Sequence, residues 1–364
     1  MTRGEVSPEN GANTSFLNEF SIILYCSFYL LFSFPFSSFG CSPLLGKLAQ
    51  TKMSRSTLVL GIDGGGSKTT ALVADEQGNV LAQRQGKATN PNVVGFDTAA
   101  RTIHQLITLC CDDVRCEPPE LSSTVVGVAG VGRDPDRKRM RDEVTKIFEG
   151  DKLKIQPVIV ETDARVALEG AFDGGPGVVM IAGTGSIVVG KTVRGDVLSV
   201  GGWGRLIGDE GSGYAIGREA LIAVTLHYDG RGSSGRLKEA FAREFQWESR
   251  DHIIAAVYQQ KVELATLAPL VMQAAANNCI VAQRILQKAA TQLVEQARII
   301  VMQMGILRKV GLVMLGGLLE HEAVYANLVH LKMLKLLPQV DVRDALHSPA
   351  HGAVLMALER LNRS

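Results

Sequence analysis

Leu58-Val59-Leu60-Gly61-Ile62-Asp63-Gly64-Gly65-Gly66-Ser67-Lys68-Thr69-Thr70-Ala71-Leu72-Val73-Ala74 is two apolar runs joined by a glycine-rich turn. Residues 58–62 read as a buried strand and 69–74 as another, with Asp63 to Lys68 between them. Gly61 and Gly66 have the spacing of a Walker A loop, and Lys68-Thr69 follows. Ser67 separates Gly66 from Lys68, however, and a β-branched strand stands where a P-loop needs a helix, so that reading fails. What remains is a hairpin whose glycines let backbone N–H groups converge on an anion, with Ser67, Lys68 and Thr69 as extra donors. The competing reading is a plain tight turn. Against it, three successive glycines lose conformational entropy that an ordinary hairpin would keep. Asp63, beside such a loop, suits a magnesium ion held through water.

Outward from this hairpin, the turn Glu76-Gln77-Gly78-Asn79 leads into Val80–Gln83, predicting a third antiparallel strand. A helix is expected over Phe96–Leu109, a strand over Thr124–Ala129 and an exposed helix over Asp134–Phe148. Pro157–Val160 reads as a strand delivering Thr162 and Asp163 to its carboxyl end, where open α/β sheets bind ligands. After Gly174-Gly175-Pro176-Gly177 the opening pattern returns: Val178–Ala182, then Gly183-Thr184-Gly185-Ser186, then Ile187–Gly190. Two glycine-turn hairpins, one heading each half, predict an internally duplicated architecture. From Tyr214 to about Gly305 the pattern is helical, with a long amphipathic stretch over Ile280–Met304, and reads as a helical insertion. A strand is expected over Val310–Leu315, broken by Gly316-Gly317, and a closing helix over Ala350–Leu361.

The chain of 364 residues suits two domains, since single cores stop growing near ~250 residues. The expected division is 53–173 and 174–364, with the insertion over about 214–305 and a cleft between the domains. A net charge of +1 with 21% charged residues gives no long-range attraction to polyanions, so no nucleic-acid partner is expected. The six cysteines show no CxxC pair, which favours reduced thiols in a cytoplasmic protein over metal ligation or a disulfide framework. His347 and His351 have i,i+4 spacing, but Ser348-Pro349 reads as N-cap and N1, which puts His347 outside the helix and argues against a metal pair.

Residues 1–52 stand apart. From Phe20 to Gly40 the chain is rich in Phe, Leu and Ser with no charge, long enough to cross a bilayer. Its serines, Pro35 and the preceding Glu5, Glu9 and Glu19 make a poor signal peptide. Three readings stand: translation beginning at Met53, a membrane segment, and a disordered extension. The first is preferred.

Asp63-Gly64-Gly65-Gly66-Ser67-Lys68-Thr69, Asn90, Thr162-Asp163-Ala164, Gly183-Thr184-Gly185-Ser186, Gly201-Gly202-Trp203-Gly204 and Gly208-Asp209-Glu210-Gly211-Ser212 occur in that order. The ensemble resembles the N-acetylglucosamine kinases, within the BadF/BadG/BcrA/BcrD ATPase family of the sugar kinase, Hsp70 and actin superfamily. The resemblance covers essentially everything from Met53 onward. It implies an α/β fold of two actin-like (ribonuclease H-like) domains with a nucleotide cleft between them. It also implies ATP-dependent phosphorylation of the 6-hydroxyl of an amino sugar, N-acetylglucosamine first, with ATP and Mg²⁺ as cofactors.

Carried onto this sequence, the resemblance implies that Asp163 is the general base, which its place in the first turn of a helix would hold ionised. The alternative for Asp163 is a helix-capping carboxylate. Gly65, Gly66, Ser67, Lys68, Thr184, Gly185, Gly316 and Gly317 would bind ATP, with Asp63 toward Mg²⁺. Asn90, Asp163, Ser186, Gly202, Trp203 and Asp209 would hold the sugar. Taken alone, Asn90 stiffens a turn before Pro91, and Asp209-Glu210 is a solvated turn. Ile187 stands where these kinases often have a polar residue, which leaves the acyl preference open. A homodimer is compatible with this reading, and a membrane partner enters only if the residues before Met53 are real. The rivals are a glucosamine or N-acetylmuramate kinase, and a BadF-type activator of a dehydratase or reductase, which would need a cysteine positioned at a subunit face.

Overall fold

In the computed structural model the described residues are 57–305 and 309–363. The three readings of the segment before Met53 lie outside them.

The opening hairpin forms as expected. β1 (Leu58–Gly64) pairs antiparallel with β2 (Lys68–Ala74), and β2 with β3 (Val80–Lys87). α1 (Pro91–Val94), α2 (Phe96–Val114), β4 (Leu121–Val128), α3 (Asp134–Gly150), β5 (Ile159–Thr162) and α4 (Asp163–Ala171) follow. β4 runs parallel beside β1, and β5 beside β4, giving the order β3-β2-β1-β4-β5. The second half repeats this. β6 (Gly177–Ala182), β7 (Ser186–Lys191) and β8 (Val197–Gly201) form the antiparallel meander. The helical stretch comprises α5 (Gly213–Tyr228), α6 (Gly235–Phe245), α7 (Arg250–Ile254), α8 (Ala268–Ala276) and α9 (Ile280–Gln303). β9 (Val310–Leu315), α10 (Gly317–Glu320), α11 (Ala323–Leu336), β10 (Val340–Val342) and α12 (Pro349–Arg363) complete the chain. The order β8-β7-β6-β9-β10 reproduces, strand for strand, that of the first sheet. The duplication read from two glycine turns is therefore a duplication of topology.

β8 and β10 have no clear signal in the sequence. β10 is only three residues long, and β8 (Val-Leu-Ser-Val-Gly) is partly exposed, so neither carries a buried apolar run. Each is fixed by pairing with the strand beside it rather than by its own pattern.

The apolar faces explain the layers. Leu60, Ile62, Ala71 and Val73 bury one face of the first sheet against α2 and α3, through Ile103, Ile107, Met140, Val144 and Phe148. The second sheet buries Val178, Met180 and Val188 against α5, α8, α9 and α11. The remaining faces receive α12 and α4. α12 covers the first sheet through Ala350, Ala353, Val354 and Ala357. α4 packs Ala164, Leu168 and Ala171 against Val179, Val189 and Val313 of the second. α12, late in the chain, thus packs on the first sheet, and α4, from the first half, on the second.

α4 and α12 cross at glycines. A Cβ on Gly352 would lie 2.0 Å from the Val166 carbonyl oxygen and 2.4 Å from the Gly170 nitrogen, both immovable backbone atoms. Gly352→Ala is therefore expected to cost about 2–3 kcal/mol of stability, read as a lowered urea midpoint at unchanged m.

Candidate active site

Three clusters lie at the carboxyl ends of the parallel strands of the two sheets, and each grows from local chain chemistry.

In the first hairpin Asp63 pairs with Thr70 and Gly64 with Thr69. Gly65 donates from its amide to the Lys68 carbonyl at 3.0 Å, leaving Gly66, Ser67 and Lys68 exposed at the tip. The turn is tighter than the sequence suggests, because the strands run on through Gly64 and from Lys68. Gly64 has a packing reason: a Cβ there would be 2.1 Å from Thr89 Oγ1. Gly66 has none, since nothing lies within 4 Å of its would-be Cβ, so the bare space there is free for a ligand. The Gly65 carbonyl accepts from the amides of Thr89 and Asn90 at 3.1 and 3.2 Å, which staples the hairpin to the 88–92 loop. Asn90 Oδ1 accepts from the Asn92 amide at 2.9 Å and caps α1. The turn-stiffening role of Asn90 is thus real, alongside its place next to the hairpin.

At the start of α4 the capping residue is Thr162, whose Oγ1 accepts from the Arg165 amide at 3.1 Å. Asp163 Oδ1 accepts from the Ala164 amide at 2.9 Å. The parallel ladders put Asp63, Gly127 and Glu161 in one row, so Asp63 and the strand end that carries Asp163 are two strands apart, ~10 Å. Burial pushes the Asp63 carboxyl up to about 6; the Asp163 charge adds to the rise, and Lys68 opposes it. Burial likewise raises Asp163, against the Ala164 amide and its own. The expectation that the helix end holds Asp163 ionised is corrected here: desolvation outweighs the N–H groups, and the carboxyl is easier to protonate than a surface aspartate.

The second hairpin is held from behind. The carbonyls of Gly183 and Thr184 accept from the amides of Gly213 and Tyr214, at 2.8 and 3.2 Å, where α5 begins. Thr184 is exposed at the tip. Asp209, 8% exposed, lies behind Gly185: a Cβ on Gly185 would be 3.0 Å from Asp209 Oδ2. Asp209 has φ +61°, in the left-handed region that aspartate tolerates better than most non-glycine residues. Burial raises its carboxyl, and the Ser186 amide, donating to Oδ1 at 3.4 Å, opposes that. The Ser186 hydroxyl donates to the Glu210 carbonyl at 2.8 Å and is buried, so it supports the 208–212 loop from within. Gly316 has φ +93° and packs on Ala182, while Gly317 lies beside Gly183, which brings this glycine pair to the second hairpin.

After β8 the chain turns through Gly202, whose amide donates to the Ser186 carbonyl at 3.1 Å. Beyond this anchor Trp203, Leu206 and Ile207 are 74%, 88% and 78% exposed, an apolar tip beside the Asp209 cluster. Two further side chains hold this region. Gln296 of α9 donates from Nε2 to Glu210 Oε2 at 3.2 Å, and Arg205 pairs with Glu263 at 3.0 Å. No local motif marks Gln296; it is one polar residue on the buried face of a long helix, and that break in the apolar stripe is its only sequence signal.

Among the described residues, no group of three or more His, Cys, Asp or Glu is placed to hold a metal ion. His347 does precede α12, yet its ring stacks on His351 at 4.3 Å. Cys110, Cys111, Cys116 and Cys279 are free, and none lies in either hairpin. No single described helix is long and apolar enough to cross a membrane.

The model of the BadF/BadG/BcrA/BcrD ATPase family matches residues 60–357, spanning both hairpins, Asp163 and Gly316-Gly317. The chain belongs to that family. Among curated members, it is 30% identical over 317 residues to the N-acetyl-D-glucosamine kinase of Dictyostelium discoideum, covering 83% of this chain and 98% of that one. It is 31% identical over 307 residues to the N-acetylmuramic acid/N-acetylglucosamine kinase of Clostridium acetobutylicum, covering 82% and 97%. In fold it is similar to a Chromobacterium violaceum protein assigned as an N-acetylglucosamine kinase, with TM-score 0.66 at 24% identity over 83% of this chain and 99% of that one. Family and fold thus agree with the duplicated actin-like architecture.

Proposed function

We propose that this protein transfers the γ-phosphoryl group of ATP to the 6-hydroxyl of an amino sugar, with N-acetylglucosamine the first substrate, in the cytoplasm. The observation that carries the proposal is Asp163. It is a half-buried carboxylate with a raised pKa at the carboxyl edge of the first sheet, on a helix that packs against the strands of the second glycine hairpin. In the proposed reaction Asp163 takes the proton from the sugar O6 as O6 bonds to the γ-phosphorus and the bond to the departing ADP breaks. Phosphoryl transfer asks the protein chiefly for alignment and charge neutralisation. The backbone at Gly65 and Gly66, with Ser67 and Lys68, would supply these from one side, and Thr184 with Gly185 from the other. Gly316-Gly317 gives the nucleotide a bare surface. Asn90, Gly202, Trp203 and Asp209 would hold the sugar. Ser186 contributes by supporting the Asp209 loop.

Asp63 also suits a Mg²⁺ ion carried in on the phosphates. Burial and the Asp163 charge raise the cost of ionising Asp63, and a divalent cation with phosphate oxygens would relieve it. Asp63 would hold that ion through water. Bound Mg²⁺ supplies charge neutralisation at the phosphates.

The curated relatives named above are kinases of N-acetylglucosamine, and one of N-acetylmuramic acid as well. The test is therefore a coupled ADP-release assay with Mg·ATP and glucose, glucosamine, N-acetylglucosamine, N-acetylmannosamine and N-acetylmuramate. Highest kcat/KM for N-acetylglucosamine supports the proposal, and absence of any sugar-dependent ADP release overturns it. Trp203→Ala in the same assay is expected to raise the sugar KM about tenfold and leave the ATP KM unchanged. Its melting temperature should not move, because so exposed a side chain contributes little to the core.

A further inference from the structure

Beneath the site, where α4, β7 and the link to β6 converge, lies a buried ionic cluster that none of the sequence motifs includes. Glu169 on α4 is 2% exposed. Arg165, one turn earlier on the same helix, pairs with its Oε1 at 2.7 Å, which already neutralises it. Lys191, the last residue of β7 and 11% exposed, nevertheless joins the cluster. Its Nζ donates to Glu169 Oε1 at 3.0 Å, to Glu169 Oε2 at 2.7 Å and to the Gly174 carbonyl at 2.8 Å. An ammonium has three protons, and all three are matched.

Charge balance does not explain Lys191, because one carboxylate with two cations leaves a net positive charge in a buried place. Buried ion pairs are weak sources of stability, and apolar replacements are often as good. What Lys191 does supply is a three-way geometric connection. It stands at the end of β7 opposite the second hairpin. Glu169 stands on α4 six residues from Asp163, ~9 Å along a rigid helix. Gly174 lies in the stretch by which the chain leaves the first half, after Asp173 at φ +49° and itself at φ +73°. The return crossing is tied to the same spot, with the amides of Leu346 and His347 donating to the carbonyls of Ala171 and Gly170. Both passages between the halves therefore meet at the end of α4, and Lys191 fastens that end to the second sheet.

We infer that Lys191 is a positioning residue: through Glu169 and Gly174 it fixes α4 against β7, and so fixes Asp163 relative to the second glycine hairpin. The inference rests on the kinase reading given above. An error of about 1 Å in such an alignment lowers turnover steeply while leaving binding largely intact.

The experiment compares wild type, Lys191→Met and Arg165→Met by kcat, by KM for ATP and for N-acetylglucosamine, and by melting temperature. Lys191→Met keeps the stem and removes the three donors. It is expected to lower kcat at least about tenfold, with both KM values within about twofold. Arg165→Met removes a cation from the same carboxylate without touching the link to β7, and should keep kcat near wild type. If the two variants lose kcat by the same factor, the cluster serves only to neutralise Glu169 and the inference is overturned. Full kcat in Lys191→Met overturns it as well. Should Lys191→Met fail to fold, Lys191→Gln takes its place with the same expectations and the same overturning results. Wild-type turnover reports separately on the kinase reading: a wild type without sugar-dependent turnover removes both, whereas an active wild type with an equally active Lys191 variant removes this inference alone.

Discussion

Asp163→Asn is expected to lower kcat for sugar phosphorylation about 10³-fold, within the 10²–10⁴ that a positioned base contributes, with KM for ATP nearly unchanged. A capping role for Asp163 predicts a different result, namely loss of stability with activity retained in the folded fraction. The helix end already answers this in part, because Thr162 occupies the cap position and accepts from the Arg165 amide. Asparagine keeps an acceptor for the Ala164 amide while removing basicity. The stability effect has the opposite sign from a lost cap. A carboxyl whose folded pKa lies above its unfolded value stabilises the fold below the unfolded pKa, and that contribution is lost as pH rises through the folded pKa. Above the unfolded pKa wild type bears the cost of a desolvated carboxyl, either as a buried charge or as a proton taken up on folding, and the variant does not. Asp163→Asn should therefore melt at or above the wild-type temperature while nearly inactive. A variant that melts lower and turns over normally removes Asp163 from the role of base.

The skeleton was legible because both hairpins announce themselves locally. Apolar β-branched runs on either side of a glycine cluster leave little choice of structure, and their recurrence at residues 178–190 made the duplication readable. The third and fourth strands of the first half also carry their own patterns. β8 and β10 do not, since a short or partly exposed strand is defined by its partner. The packing of α12 is hidden for a related reason: an amphipathic helix declares that it has a face to bury, and the sheet that receives it lies far back in the sequence. At the site, Asp63, Asp163 and Asp209 could be singled out, but their electrostatics could not. Asp163 was expected to be held ionised by its helix, and burial proves the larger effect, because desolvation depends on every layer packed above the strand end. Ser186 illustrates the same limit, since its position within a motif is visible in sequence and its hydroxyl's bond to the Glu210 carbonyl is not. Gln296, Glu169 and Lys191 each act across more than twenty residues of chain or between elements, and no spacing rule reaches that far.

Asp63→Asn is expected to separate stability from activity in one protein. In the free enzyme burial and the neighbouring Asp163 push the Asp63 carboxyl up to about 6. The folded state thus holds a proton that the unfolded state releases near 4, and stability falls as pH rises from about 4 through about 6. At pH 7.5 the charge is present and costly. Replacing it with a neutral amide of the same shape should raise stability by about 1–3 kcal/mol there and by much less at pH 4, a difference that denaturation at the two pH values reads directly. Activity should move the other way. If Asp63 serves a cation brought with the phosphates, its loss should lower kcat about 10²-fold and raise the Mg²⁺ concentration needed for half-maximal rate. The part of the wild-type acid limb of kcat/KM that belongs to Asp63, near pH 6, should be absent in the variant. An unchanged Mg²⁺ dependence would assign Asp63 to structure alone. Two carboxyls raised by burial at one sheet edge are the physical ground for expecting a ligand there.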